Sequence, residues 1–159
     1  MARVEWTRQS GEDVEAVVAM LLCSRYPSAH RVRPSQGDGG IDIFVPGPAR
    51  FGAERAVYQV KRYCENLTGT QKRKIKNSYQ RVVETSQKEG WRITEWHLVM
   101  PLDLTNQNLG WLDKVIADAD FPCEPNAWSS VTRWQPIIPR SSTTSCATAR
   151  TACRRRWTT

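Results

Sequence analysis

The spacing of apolar residues changes several times along the first three quarters of the chain. Ser10 followed by two acids predicts a helix start, and apolar residues then recur at helical spacing until Pro27. Strand-like and helical segments follow: Ala29–Arg33, Ile41–Val45, Arg55–Tyr63, a helix from Thr68 or Thr70 to Lys88, Trp96–Met100, and a helix at Asn106–Ala119. The order α-β-β-β-α-β-α predicts one α/β domain, with a mixed central sheet flanked by helices.

The periodic pattern ends near Cys123. Residues 124–159 contain 12 Ser and Thr, three Trp and the run Arg154–Arg156, a composition typical of a disordered or nucleic-acid-binding tail. GC-rich coding DNA translated in a wrong frame gives the same residue types. A one-base shift over the segment SSTTSCAT permits the amphipathic sequence Val-Ile-Asp-Tyr-Phe-Leu-Arg-Asp. We therefore expect a domain at 1–123 and a tail at 124–159 that is disordered or out of frame, with a different authentic continuation.

Charge is distributed unevenly. Residues 1–123 hold 17 Lys and Arg against 15 Asp and Glu, whereas residues 124–159 hold six Arg against one acid. Within the domain, the stretch Lys61–Arg81 carries seven basic residues and the single acid Glu65. This local excess is the feature that indicates a polyanionic partner.

The sequence shows no membrane span, no secretory signal and no metal-binding or disulfide pattern of cysteines. No apolar run approaches the length of a membrane span, and the first residues lack the apolar core of a secretory signal. The five cysteines show no C-x-x-C spacing, so neither a disulfide framework nor a zinc site is indicated. We expect a cytoplasmic protein that does not contact membranes.

Three polar side chains fall inside two predicted strands. Asp42 follows Gly39 and Gly40 in one strand, and Gln59 and Lys61 lie two residues apart in another, so those two side chains share a face. If the strands pair as a hairpin, the three residues converge, and the glycines leave space for a phosphate to approach the backbone. Carboxylate and amide oxygens suit Mg²⁺, and a lysine can orient water and offset charge on a phosphate.

This set resembles the PD-(D/E)XK nuclease superfamily. The residues that carry the resemblance, over roughly Glu12–Pro101, are Glu15, then Gly37-Asp38-Gly39-Gly40-Ile41-Asp42, then Gln59-Val60-Lys61-Arg62-Tyr63. The pattern is most similar to the Mrr-like branch of restriction endonucleases, in which glutamine often replaces the second acid. The resemblance implies a restriction-endonuclease-like core, cleavage of double-stranded DNA, and dependence on Mg²⁺ or Mn²⁺.

The resemblance also implies roles for individual residues. Asp42 and Gln59 would bind the metal, Lys61 would be the catalytic lysine, and Glu15 would be the helix acid that adds a further ligand. The basic stretch supplies the candidate DNA contacts, which are Arg62, Lys72, Arg73, Lys74 and Lys76.

Each of these residues also has a structural interpretation. Asp42 can cap a turn, Gln59 can lie on a wet sheet face, and Lys61 can protect an edge strand from pairing. Glu15 can offset the helix dipole, and the lysines of residues 72–76 can form a solvated helix face.

Three functions remain open on the sequence. The first is a Mg²⁺-dependent DNA endonuclease in restriction or antiphage defence. The second is a catalytically weak nucleic-acid-binding module on the same fold, because Gln59 is neutral. The third is the nuclease effector part of a larger sensor protein. A homodimer or a larger effector assembly is compatible with each of them.

Overall fold

The helices begin and end where the sequence provides caps. The computed structural model describes residues 8–32, 39–48 and 53–127. Helix α1 spans Gly11–Arg25 and begins with a capping box in which the Ser10 hydroxyl and the Asp13 carboxylate each bond the other residue's backbone N–H. Helix α2 spans Gly69–Glu89, is capped by Thr68, and ends at Gly90, whose φ of 72° forms a left-handed C-cap. Helix α3 spans Asn106–Val115 behind the cap Thr105.

Five strands form one mixed sheet in chain order, β1-β2-β3-β4-β5. The strands are β1 His30–Arg31, β2 Ile43–Pro46, β3 Glu54–Val60, β4 Arg92–Met100 and β5 Cys123–Ala127. The first two pairings are antiparallel, and the pairings of β3 with β4 and of β4 with β5 are parallel. Helices α2 and α3 make the two crossovers that parallel neighbours require.

The sheet is covered by helices on both faces. Helix α1 packs its buried stripe against one face, where Tyr58 and Val60 of β3 point. Helices α2 and α3 cover the other face, where Val57 of β3 points. The alternation along β3 therefore places Gln59 on the same side as Val57, which is the side that α2 covers. The expected α/β class, the mixed sheet and the flanking helices are confirmed.

The fifth strand is the main departure from the sequence prediction. β5 continues four residues past the expected domain boundary at Cys123, and pairs with β4 from Trp96 to Met100. The sheet therefore extends to Ala127. The rest of the expected tail lies outside the described residues, and so does Asp38. Within the part of the chain that the structure describes, no helix is long and apolar enough to cross a membrane.

Candidate active site

A glycine turn brings the start of β2 against helix α2. Gly39 and Gly40 have φ values of 64° and 76°, which residues with a Cβ rarely adopt. A Cβ on Gly39 would lie 2.7 Å from Thr85 Cγ2, and one on Gly40 would lie 3.0 Å from the Ser78 carbonyl oxygen. The space that these glycines leave is therefore taken by α2. The glycines let the turn dock on the helix, and the approach of a phosphate to their backbone stays a prediction.

Asp42 links β2 to the end of β3. Its Oδ2 accepts a hydrogen bond from the backbone N–H of Val60 at 2.7 Å and lies 3.6 Å from Lys61 Nζ. Both contacts use Oδ2, and among the described residues no donor contacts Oδ1. Asp42 therefore binds the neighbouring strand and does not cap its own turn. Lys61 directly follows β3, which is the middle strand of the sheet, so an edge-protecting role does not fit it.

Gln59 is fully buried, with 0% of its surface exposed. Its Nε2 donates to the Gly40 carbonyl at 3.0 Å, which fixes the orientation of the amide because a flipped group would place two oxygens together. Its Oε1 is buried with no hydrogen-bond partner among the described residues. An unpaired buried carbonyl is costly, so the wet-face interpretation is wrong and a ligand for this oxygen is expected.

Glu15 reaches the same region from the α1 side of the sheet. It is 8% exposed, and its Oε2 lies 2.9 Å from Arg31 Nη2 of β1. Its negative charge is close enough to Asp42 to contribute to raising the pKa of that carboxyl. Glu15 is therefore more than a surface charge offsetting the helix dipole, and in this structure Arg31 holds it.

Burial dominates the electrostatics of Asp42. Loss of solvent raises the pKa of the Asp42 carboxyl above 3.8, and the Glu15 charge adds to the rise. Lys61 and the Val60 N–H act in the opposite direction, because each favours the ionised form. The carboxylate is thus held at a free-energy cost that a bound cation would offset.

The donor atoms fit a hard divalent cation. Among the described residues, no three His, Cys, Asp or Glu side chains are placed to hold a metal. Asp42 and Glu15 are close enough for their charges to interact, and Gln59, which is not one of these four residue types, would add a neutral oxygen. The Oε1 of Gln59, buried without a partner among the described residues, is available as an oxygen ligand for Mg²⁺.

The predicted DNA contacts separate on the folded chain. Lys74 lines a cleft beside Lys61, whereas Lys72 lies over the Trp111 ring at 5.5 Å in a different cleft. Arg62 lines a third cleft, and Arg73 and Lys76 are exposed.

Sequence reasoning missed Arg81, which lines the same cleft as Lys61. Arg81 lies seven residues after Lys74, which is two helical turns, so the sequence alone could have placed both residues on one face of the helix. Tyr63, Asn77 and Ser78 complete this lining.

The sheet, its flanking helices and the polar cluster at the end of β3 define a restriction-endonuclease-like domain. Residues 7–97, more than half of the chain, match the family model Mrr_cat, described as restriction endonuclease. The chain belongs to this restriction endonuclease family.

Curated proteins and solved structures add no further family assignment. A search of curated proteins gave no significant match. Among solved structures, the chain is similar to an Acinetobacter baumannii Cap4 SAVED/CARF-domain containing receptor with the cyclic trinucleotide 2'3'3'-cAAA. That match has 15% identity and a TM-score of 0.41, and it covers 84% of this chain and 34% of the receptor chain. The chain therefore spans about a third of that receptor.

Proposed function

We propose that this domain is a Mg²⁺-dependent endonuclease that hydrolyses phosphodiester bonds of double-stranded DNA, in restriction or antiphage defence. Membership of a restriction endonuclease family supports the reaction class. The observation that supports the metal dependence is the buried Oε1 of Gln59, which has no partner among the described residues, in the amide that donates to the Gly40 carbonyl two residues before Asp42. Mn²⁺ has a similar preference for oxygen ligands and is the expected substitute.

The residues have distinct tasks in this proposal. Asp42 and Gln59 would hold the ion, with Glu15 as a further ligand once it is released from Arg31, or through water. The bound ion would polarise the oxygen of the scissile phosphate. Lys61 Nζ, held 3.6 Å from Asp42, orients the attacking water and offsets the charge that develops on the phosphate.

Cleavage of supercoiled, linear and methylated plasmid DNA, with and without Mg²⁺, tests this function. Metal-dependent cutting by the wild-type chain is expected. Lys61→Ala should abolish it and leave folding and DNA binding largely intact, because the ammonium acts in the transition state. Lys88→Ala, which removes an exposed lysine from the last turn of α2, is the matched control and should cut normally. Wild-type protein that binds DNA but never cuts it would favour the binding-module alternative.

A further inference from the structure

A cleft opens beside the candidate active site, between the end of β3 and helix α2. Its volume is about 210 Å³, the share of roughly seven liquid water molecules. The lining residues are Lys61, Tyr63, Lys74, Asn77, Ser78 and Arg81. Three of these six are cationic, the other three can donate hydrogen bonds, and none is acidic. A phosphodiester group is the ligand that this chemistry fits.

Helical geometry explains why only some basic residues of α2 line the cleft. The helix advances about 100° per residue, so Lys74, Ser78 and Arg81 fall on one stripe. The buried stripe of α2, which includes Ile75 and Val82, lies next to this stripe. Arg73 and Lys76 are turned away from Lys74 by roughly 100° and 160° and are exposed.

The cleft is continuous with the residues proposed for catalysis. The Arg81 Cβ lies 3.5 Å from the position that a Cβ on Gly40 would occupy, and the Gly40 carbonyl accepts the hydrogen bond from Gln59. Lys61 contacts Asp42 and also lines the cleft. Within the described residues, neither Lys74 nor Arg81 has an acidic partner.

We propose that Lys74 and Arg81 bind the DNA phosphates next to the scissile one, and that Arg73 and Lys76 do not contact DNA. The inference rests on the proposed function, since it places the substrate of the same site. Lys74 supplies a point charge, and Arg81 supplies a planar guanidinium that can hold two phosphate oxygens. Asn77 and Ser78 lie between Lys74 and Arg81 on α2 and donate hydrogen bonds to the same DNA phosphates.

Two double variants with equal loss of charge test the inference. Binding of a fluorescein-labelled 20-base-pair duplex is followed by anisotropy over a range of KCl concentrations, with Ca²⁺ in place of Mg²⁺ and again in EDTA. Lys74→Ala/Arg81→Ala should reduce the slope of log K against log salt by about 1.8, at ~0.9 per phosphate contact. Arg73→Ala/Lys76→Ala should leave the slope unchanged. Equal changes in both variants would overturn the inference and indicate a diffuse electrostatic effect.

Further variants separate folding from binding. Lys74→Ala alone changes one exposed residue and should reduce the slope by about 0.9, even if the double variant melts early. Arg81→Lys should keep the salt slope but weaken binding, because the guanidinium contact with two phosphate oxygens is lost. Binding equal to wild type would show that Arg81 makes no such contact. If the wild-type chain binds no duplex in either buffer, the proposed function itself fails. If the wild-type chain binds the duplex and both double variants change the salt slope equally, the proposed function stands and the inference fails.

Discussion

In the proposed function, protonation of Asp42 opposes metal binding by the same carboxylate. Burial raises its pKa, while Lys61 and the Val60 N–H favour the ionised form that a cation requires. A carboxyl whose folded pKa is raised favours folding below its unfolded pKa, and this contribution is lost as the pH rises through the folded pKa. Ionisation of the Asp42 carboxyl therefore opposes folding.

Asp42→Asn should accordingly be at least as stable as wild type at pH 7 in EDTA, while binding Mg²⁺ far more weakly. An asparagine oxygen can still accept from Val60, and its neutral amide does not carry the desolvation cost. The pH dependence of stability just above 3.8 should also weaken in the variant. Thermal melting at several pH values and calorimetry with Mg²⁺ measure both effects. A variant that melts well below wild type at pH 7 would mean that the Lys61 contact outweighs burial.

The Gln59 amide makes a structural hydrogen bond to Gly40 and, in the proposed function, would also bind the metal. Gln59→Glu would lose the donor to the Gly40 carbonyl and bury a second charge, so we expect a loss of about 1–3 kcal/mol in EDTA. Added Mg²⁺ should restore the melting temperature and bind as tightly as to wild type or more tightly. Gln59→Ala should bind Mg²⁺ with intermediate affinity, and Asp42→Asn should bind it most weakly. If Gln59→Ala binds Mg²⁺ like wild type, Gln59 is not a ligand.

At the scale of elements, helix α2 has two roles. Its buried stripe covers the sheet, and its Ser78–Thr85 segment supports the glycine turn whose carbonyl orients Gln59. The geometry of the candidate site thus depends on how the turn docks on the helix.

Gly40→Ala should test that dependence. The positive φ alone should cost about 1–2 kcal/mol, and contact with the Ser78 carbonyl should add to it. We expect both a lower melting temperature and weaker Mg²⁺ binding, because the Gly40 carbonyl must move. Gly110→Ala in α3 is the control, since nothing lies within 4 Å of its Cβ position, and it should gain about 0.5–1 kcal/mol. Normal melting and Mg²⁺ binding in Gly40→Ala would show that the turn tolerates a side chain.

The elements with local signals were those that the sequence predicted well. Ser10 is the predicted start of α1, and Thr68 is one of the two predicted starts of α2; both are the N-caps in the structure. β5 was missed because Cys-Glu-Pro-Asn-Ala has no alternating pattern, and its conformation depends on pairing with β4. The pairing of Glu15 with Arg31 and the place of Arg81 were also missed, since both depend on how distant segments pack.

At the scale of the whole molecule, β5 completes the side of the sheet that α3 leads to. Asn126 Nδ2 donates to His97 Nδ1 at 2.8 Å in the interior, so Nε2 carries the hydrogen toward Glu95. The His97 ring also stacks on Tyr58 at 4.4 Å. The last described strand is therefore tied to the middle of the sheet.

Two shortened chains should separate the strand from the rest of the carboxyl-terminal region. A chain that ends at Ala127 should melt within a few degrees of the full chain. A chain that ends at Pro122 should melt markedly lower, because β4 loses its partner and His97 loses Asn126. Differential scanning calorimetry measures both. Equal melting of the two shortened chains would mean that β5 adds nothing to stability.

The outward side of β5 bears on how copies of this domain behave when concentrated. The Trp96 N–H donates to the Pro122 carbonyl, so in this parallel register the backbone groups of Cys123, Pro125 and Ala127 point away from β4. A strand of another molecule could form hydrogen bonds with a row of outward-pointing backbone N–H and C=O groups. Pro125 has no N–H to give at its centre, and the neighbouring Glu124 is exposed and charged. Added strands would meet a gap in the ladder, so β5 is protected from seeding edge-to-edge polymers.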